Sequence, residues 1–445
     1  MTDTAHDMTD DVGGSIPLPP PGFKTPEQEG VEIGEGVAPA DELPIHEINP
    51  YNAHLFAEDR WQRYFERLRE EDPVHLNEMA VSGRYWSITK FEDIRDVERD
   101  WETFSSAQGI TLGLKVGTEN VAPEDQIKTF IAMDPPEHRD QRRTVTPSVQ
   151  PQNLQNIDPL IRERTVEVLD SLPEGETFDW VDTVSIELTT RMLATLFDFP
   201  FEERRKLTRW SDVVFAIPGE GIIESHEQRI EELMECVHYF GRLFEERKNQ
   251  PGFDLVSMLA NGEATKDMSP IEHLGNLLLL IVGGNDTTRN TMSGSVYGLN
   301  KYPEQYEKLK ANPDLVRNAV SEIIRWQTPL SYMRRTATRD TEFRGKQIKQ
   351  DDQVLLWFLS GNRDEEVFEN AEHIDIEREN AHDQLAFGFG IHRCMGSRLA
   401  EMQLRILWEE ILDRFEHVTV VGEPERTLSS FVHGYTYLPV QVTRK

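Results

Sequence analysis

Phe387-Gly388-Phe389-Gly390-Ile391-His392-Arg393-Cys394-Met395-Gly396 is the most informative stretch of this chain. Three glycines surround one cysteine, and a helical pattern begins directly afterwards, at Ser397. Glycine permits tight turns and lets a backbone lie close to a flat partner. A cysteine just ahead of a helix meets free backbone N–H groups and the positive end of the helix dipole, and both favour the thiolate. The pattern suits a thiolate held beneath a planar metal macrocycle. Two other readings compete with it. An inert buried cysteine in a glycine-rich turn leaves the ten-residue pattern unexplained. A thiol nucleophile would need a base, and His392, two residues away on an irregular loop, has no reason to face it.

Working upstream, Ser269-Pro270-Ile271-Glu272 combines an N-cap serine, proline at the first helical position and a capping-box glutamate. The helix it opens is expected to run to about Lys301, ahead of Pro303, and to span roughly 45 Å. Inside it lies Gly283-Gly284-Asn285-Asp286-Thr287-Thr288. Each glycine weakens a helix by roughly 1 kcal/mol relative to alanine. Their usual value is close approach to something else, and threonine can bond back to a preceding carbonyl and bend the helix. A local opening over a flat cofactor is therefore expected here.

The cysteine stretch matches F-G-x-G-x-H-x-C-x-G, and on it the chain resembles the cytochrome P450 family. The resemblance extends over nearly all of the chain from about residue 45. It implies a mainly α fold with small β-sheets, one haem-binding domain built around a long central helix, and haem b (iron protoporphyrin IX) with Cys394 as its axial metal ligand. Thiolate donation pushes electron density toward iron and favours O–O cleavage. The same resemblance implies that Thr287 hydrogen-bonds bound dioxygen or a water, and that Asp286 relays protons. His138, Arg142, Arg335 and His392 match positions that hold the haem propionates, and Gly283, Phe387, Gly388 and Gly396 complete the cofactor cradle. Glu322-Ile323-Ile324-Arg325 matches the structural E-x-x-R motif. Its usual third partner is an arginine, and here His373 is expected at that point.

Three stretches, Leu279–Asn290, 324–330 and 390–394, resemble the bacterial soluble alkane and fatty-acid terminal hydroxylases. They imply ω-hydroxylation of medium-chain alkanes, fatty acids or primary alcohols, with attack on a steroid side-chain terminus as the alternative. A terminal methyl has stronger C–H bonds than its neighbour, so a narrow apolar channel must present the chain end alone. Candidate walls are Ile110, Leu112, Leu279, Gly283, Leu330, Phe431 and Val432. A haem-thiolate gas sensor or an isomerase would not need the Asp286-Thr287 pair. Peroxide-using relatives tend to lack that pair, and a lipid carrier would not need the cysteine loop.

Composition narrows the partners. The net charge is −33, from 80 acidic and 47 basic residues. A chain so acidic does not suit broad nucleic-acid binding. Two cysteines, Cys236 and Cys394, far apart, argue against a disulfide scaffold and fit a reducing cytoplasm. The longest dense apolar run, Leu277 to Val282, is too short to span a bilayer. Met1 to Asp11 is acidic and is not read as a secretory signal. No G-x-G-x-x-G opens a βαβ unit, so electrons are expected from outside. The family resemblance implies a [2Fe–2S] ferredoxin with its reductase, and Arg139, Arg143, Arg393 and Arg398 are read separately as a basic patch on the cysteine side where it would dock. A monomer is expected. Residues 1–45 hold ten acids against Lys24, with several prolines and glycines, and read as a tail before a domain over 46–445.

Overall fold

The computed structural model describes residues 38–79, 82–113, 129–216, 219 and 222–445. Its axis is one unbroken helix, Pro270–Lys301, of 32 residues and about 48 Å. Ser269 Oγ accepts from the Glu272 N–H at 3.3 Å, and the Glu272 carboxylate accepts from the Ser269 N–H at 2.9 Å. Two otherwise orphaned donors are thereby satisfied. The expected opening at Gly283-Gly284 does not interrupt the helix. Thr287 Oγ1 does donate to the Gly283 carbonyl, at 2.9 Å. The turns on either side are anchored in the core, and that packing outweighs the weak propensity of two glycines.

The helix crosses two apolar clusters. Leu274, Leu277 and Ile281 pack with Leu193, Phe197 and Phe240. Met292, Val296 and Leu299 pack with Trp326, Leu407 and Trp408. Several polar side chains on the same helix, most of them buried, bond to other parts of the chain. Asn285 accepts from Thr189 Oγ1 at 2.9 Å, and Ser293 shares a hydrogen with Ser185 at 2.9 Å. Asn290 accepts from the Tyr435 N–H at 3.1 Å. Ser295 accepts from Trp408 Nε1 at 2.9 Å, and Asn300 donates to the Val418 carbonyl at 3.0 Å.

A five-stranded sheet lies beside this helical body. Its order is Val74–Met79, Gly83–Ile88, Gln353–Leu356, Met333–Ala337 and Phe104–Ser105. The Gly83 and Gln353 strands run parallel and the other pairs antiparallel. Arg335 therefore sits on an inner strand, paired with Val354. The cysteine loop leads into the last long helix, Ser397–Arg414.

Beneath the site, Glu322 and Arg325 are wholly buried and paired at 2.7 and 2.8 Å. The third member corrects the sequence expectation. Arg378 Nε reaches both Glu322 oxygens at 3.1 Å, while His373 offers Arg325 only its backbone carbonyl, at 3.0 Å. The chain turns between the two, so five residues of offset bring the guanidinium back over the carboxylate. Residues 38–45, assigned to the tail by composition, dock on the helix Gln62–Glu71: Tyr64 donates to the Ala38 carbonyl and Arg67 to the Ala40 and Leu43 carbonyls. The rest of the expected tail lies outside the described residues, as do residues 114–125 of the stretch Gln108 to Asp125, whose glycines and lack of periodicity predict a loop. Among the described residues no helix is long and apolar enough to cross a membrane.

Candidate active site

The cysteine loop is shaped by two left-handed glycines, Gly388 at φ 65° and Gly390 at φ 67°. Gly390 has a second reason to lack a side chain, since a Cβ there would lie 2.6 Å from the Glu98 carbonyl oxygen. The Cys394 N–H donates to the Phe387 carbonyl at 2.7 Å and closes the loop. Burial pushes the Cys394 thiol up, while the Gly396 N–H and the guanidinium groups of Arg142 and Arg393 pull it down. Those donors stabilise a thiolate once a metal takes the sulfur's remaining lone pairs.

The sulfur faces a cavity of about 220 Å³. The loop supplies Phe387, Gly388, His392, Cys394 and Gly396 to its wall, and the central helix supplies Gly283 and Thr287. A Cβ built on Gly283 meets nothing within 4 Å, so the helix is bare where it borders the space. Gly284 also lines the cavity but is tighter: its Cβ would come within 2.8 Å of Leu193.

His138, Arg142 and Arg335 also line the cavity. The rings of His138 and His392 lie 4.2 Å apart. Burial, then Arg335, holds His392 down to about 2; burial, then Arg142, holds His138 down to about 4. Both nitrogens of His392 and Nε2 of His138 are buried without a hydrogen-bond partner. Buried polar atoms rarely stay unsatisfied. Two such rings beside two arginines form a donor set for carboxylates, and with the bare glycine across from a cysteine they fit a haem and its propionates. Arg142 is partly committed elsewhere, donating to the Arg393 carbonyl at 2.6 Å.

Asp286 is placed differently from its neighbour. Thr287 lines the cavity; Asp286 is not among the lining residues and is buried beside Arg289 at 2.9 Å. Arg289 in turn reaches Asp212 at 2.8 Å, and Asp212 is partly open to solvent. Burial raises the Asp286 carboxyl and Arg289 opposes that rise. Asp212 was not foreseen; the i, i+3 spacing of Asp286 and Arg289 was a readable signal for the rest.

Of the expected substrate walls, Leu279, Gly283 and Leu330 line the cavity. Ile110, Leu112, Phe431 and Val432 do not. Leu112, Phe431 and Val432 belong to a core cluster on which Leu330 packs, and Val432 bridges Leu330 through the backbone. The Ile110 carbonyl accepts from the Arg334 N–H at 2.7 Å. They support the wall from behind. Met333, Phe358 and Glu98 line the cavity without having been foreseen, since no local pattern marks them.

The family model described as Cytochrome P450 matches residues 89–439. Linalool 8-monooxygenase of Pseudomonas putida is 34% identical over 400 residues, covering 88% of this chain and 98% of that protein. The methyl-branched lipid omega-hydroxylase of Mycobacterium tuberculosis (strain H37Rv) is 30% identical over 419 residues, covering 90% and 96%. Among solved structures, Cytochrome P450-153 from Novosphingobium aromaticivorans is 47% identical with a TM-score of 0.82, covering 89% of this chain and 100% of that one.

Proposed function

Since this chain belongs to the cytochrome P450 family and is a haem-dependent monooxygenase, we propose that it hydroxylates the terminal carbon of a medium-chain alkane, fatty acid or primary alcohol. The observation that carries this is the aliphatic wall of the cavity beside Thr287, formed by Leu279, Leu330 and Met333 around the bare Gly283. Such a wall binds hydrocarbon by burial alone, at about 25 cal/mol per Å². It offers no polar group to turn the chain sideways. The resemblance of Leu279–Asn290 to terminal hydroxylases supports the same reading, as does the relative named an omega-hydroxylase.

When bound, haem supplies the activation of dioxygen; the chain's residues do the rest. Cys394 holds the iron through its sulfur. His138, Arg142, Arg335 and His392 orient the propionates. Thr287 Oγ1, already turned to the Gly283 carbonyl, positions a proton donor beside that glycine. Asp286 is the proton-handling group: burial pushes its carboxyl up, which suits a group that must both hold and release a proton, while Arg289, itself paired to the partly exposed Asp212, holds it in place.

Electrons come from a [2Fe–2S] ferredoxin and its reductase in this reading. Arg139, Arg143, Arg393 and Arg398 are all exposed, and the first two border a surface hollow with Arg142 and Ile391. On a chain of net charge −33 such a patch steers an acidic partner. We place the protein in the cytoplasm as a monomer, with residues 46–445 as its haem domain. The test is a spectral binding titration across alkanes, fatty acids and sterols, followed by product identification with labelled dioxygen. Terminal alcohols from linear chains support the proposal. Products confined to a sterol side chain would replace it with the alternative. Charge reversal at the four arginines that leaves ferredoxin-supported turnover unaltered would remove the docking patch.

A further inference from the structure

Glu98 lies near the end of the helix Phe91–Arg99 and belongs to no motif of the reaction. It is buried and lines the cavity. Its carboxylate accepts from Arg335 Nη2 at 2.8 Å, and each side chain is under 5% exposed. Arg335 Nη1 donates to the Arg334 carbonyl, also at 2.8 Å. A guanidinium carries five N–H donors in one rigid plane. Two bonds therefore fix that plane and leave donors for another acceptor.

The position of Glu98 is itself fixed. Gly390 of the cysteine loop presses on its backbone so closely that a Cβ would lie 2.6 Å from the Glu98 carbonyl oxygen. The Glu98 side chain also stands 4.0 Å from a Cβ built on Gly388. One residue thus touches the loop that carries the iron ligand and the arginine expected to hold a propionate. Burying a carboxylate costs several kcal/mol unless it is well paired. Burial does push this acid up, and only Arg335 opposes it. Propionate binding by itself would call for the arginine and not for an acid beside it.

We propose that Glu98 is a positioning residue for the haem: it locks the Arg335 guanidinium toward the propionate edge and keeps a third negative charge next to the two propionates. The inference rests on the haem-thiolate assignment above. A fixed negative charge at that edge stabilises the oxidised, more positive iron relative to the reduced one. Glu98 thus sets the reduction potential as well as the grip on the cofactor.

The test uses haem-loaded parent protein and the variants E98Q, E98D and E98A. Each is first checked for the red-shifted carbon-monoxide Soret band of thiolate ligation. Midpoint potentials are then measured by spectroelectrochemical titration, and haem loss by transfer to an excess of haem-free globin. E98Q and E98A are expected to shift the midpoint to more positive values, while E98D restores it toward the parent. Haem transfer from E98A is expected to be about tenfold faster, the size of losing one hydrogen bond to a charged group. E98Q keeps the shape of the side chain, so it carries the test if E98A fails to fold. A normal band with an unmoved potential in E98Q overturns the inference. So does slower haem loss in E98Q, which would mean that Glu98 competes with the propionate. A parent protein lacking the band overturns the haem-thiolate assignment, and this inference with it.

Discussion

Gly283 and Gly284 are adjacent, yet substituting alanine at each should have opposite consequences. Both variants gain the same helix propensity, about 1 kcal/mol. At Gly283 the added methyl meets nothing within 4 Å, so G283A should keep most of that gain. At Gly284 the methyl would sit 2.8 Å from Leu193 Cδ2, well inside the roughly 3.5–4.0 Å of ordinary contact. Leu193 is almost completely buried and lines the cavity wall, so its terminal methyl must shift to admit the new one. Overpacking of this kind costs roughly 1–3 kcal/mol. The propensity term cancels between the two, so G284A should be less stable than G283A by about 2 kcal/mol. Function should move the other way. The G283A methyl enters open space in the cavity and should weaken alkane-induced spectral binding, whereas the G284A methyl is directed at Leu193 and should weaken it less. Thermal loss of the carbon-monoxide band measures the stability order, and substrate titration measures the second effect. G284A proving as stable as G283A would refute the packing argument. Undiminished substrate binding by G283A would show that the open space is not where substrate lies.

Four further outcomes are expected. R378A should lose about 3 kcal/mol by leaving Glu322 underpaired, while H373A should lose less than about 1, because His373 contributes a backbone carbonyl; equal urea midpoints would contradict the assignment. Leu330→Phe should shift chain-length preference or hydroxylation position, and unchanged products across several bulky substitutions there would take Leu330 out of the pocket. Asp286→Asn should slow turnover at least about tenfold and enlarge the solvent isotope effect, with substrate-induced spectral shifts retained; an unchanged isotope effect would exclude it from proton delivery. Burial, then Arg426, holds His433 down to about 4, so below about pH 6.5 the unfolded chain binds a proton that the folded one refuses. Stability should fall as pH drops through that window, and His433→Asn, which keeps a donor for the Gln327 carbonyl, should lessen the slope by up to one proton in denaturation curves.

The parts of this molecule legible in the sequence are those set by neighbours along the chain. The capping box at Ser269, the proline after Tyr302 and the glycines around Cys394 each act within a few residues, so both ends of the central helix and the loop were readable. Features set by distant partners were not. The pairing of Tyr85 with Gln353 joins segments hundreds of residues apart, and no local pattern encodes it. Arg378 sits in a run of charges that resembles any solvated surface, and only the turn of the chain brings it to Glu322. Leu112, Phe431 and Val432 are apolar and close to the pocket, but hydrophobicity does not say which face of a wall a residue occupies. Glu98 has no sequence signature, because its partner Arg335 arrives on a strand more than two hundred residues later.

The hydrogen-bonded amides and hydroxyls of the central helix make it a keyed shaft. Asn285, Asn290, Ser293, Ser295 and Asn300 each engage a different part of the chain, at different heights and around different sides. Sliding or rotating the rod by even one residue would break all five at once and strand the four buried ones, at about 1–3 kcal/mol apiece. An oil-like helix could ratchet to suit a longer or bulkier guest; this one cannot. Adaptation to guests of different length therefore belongs to the opposing walls, and evolution toward new substrates should accumulate there while the rod stays in register.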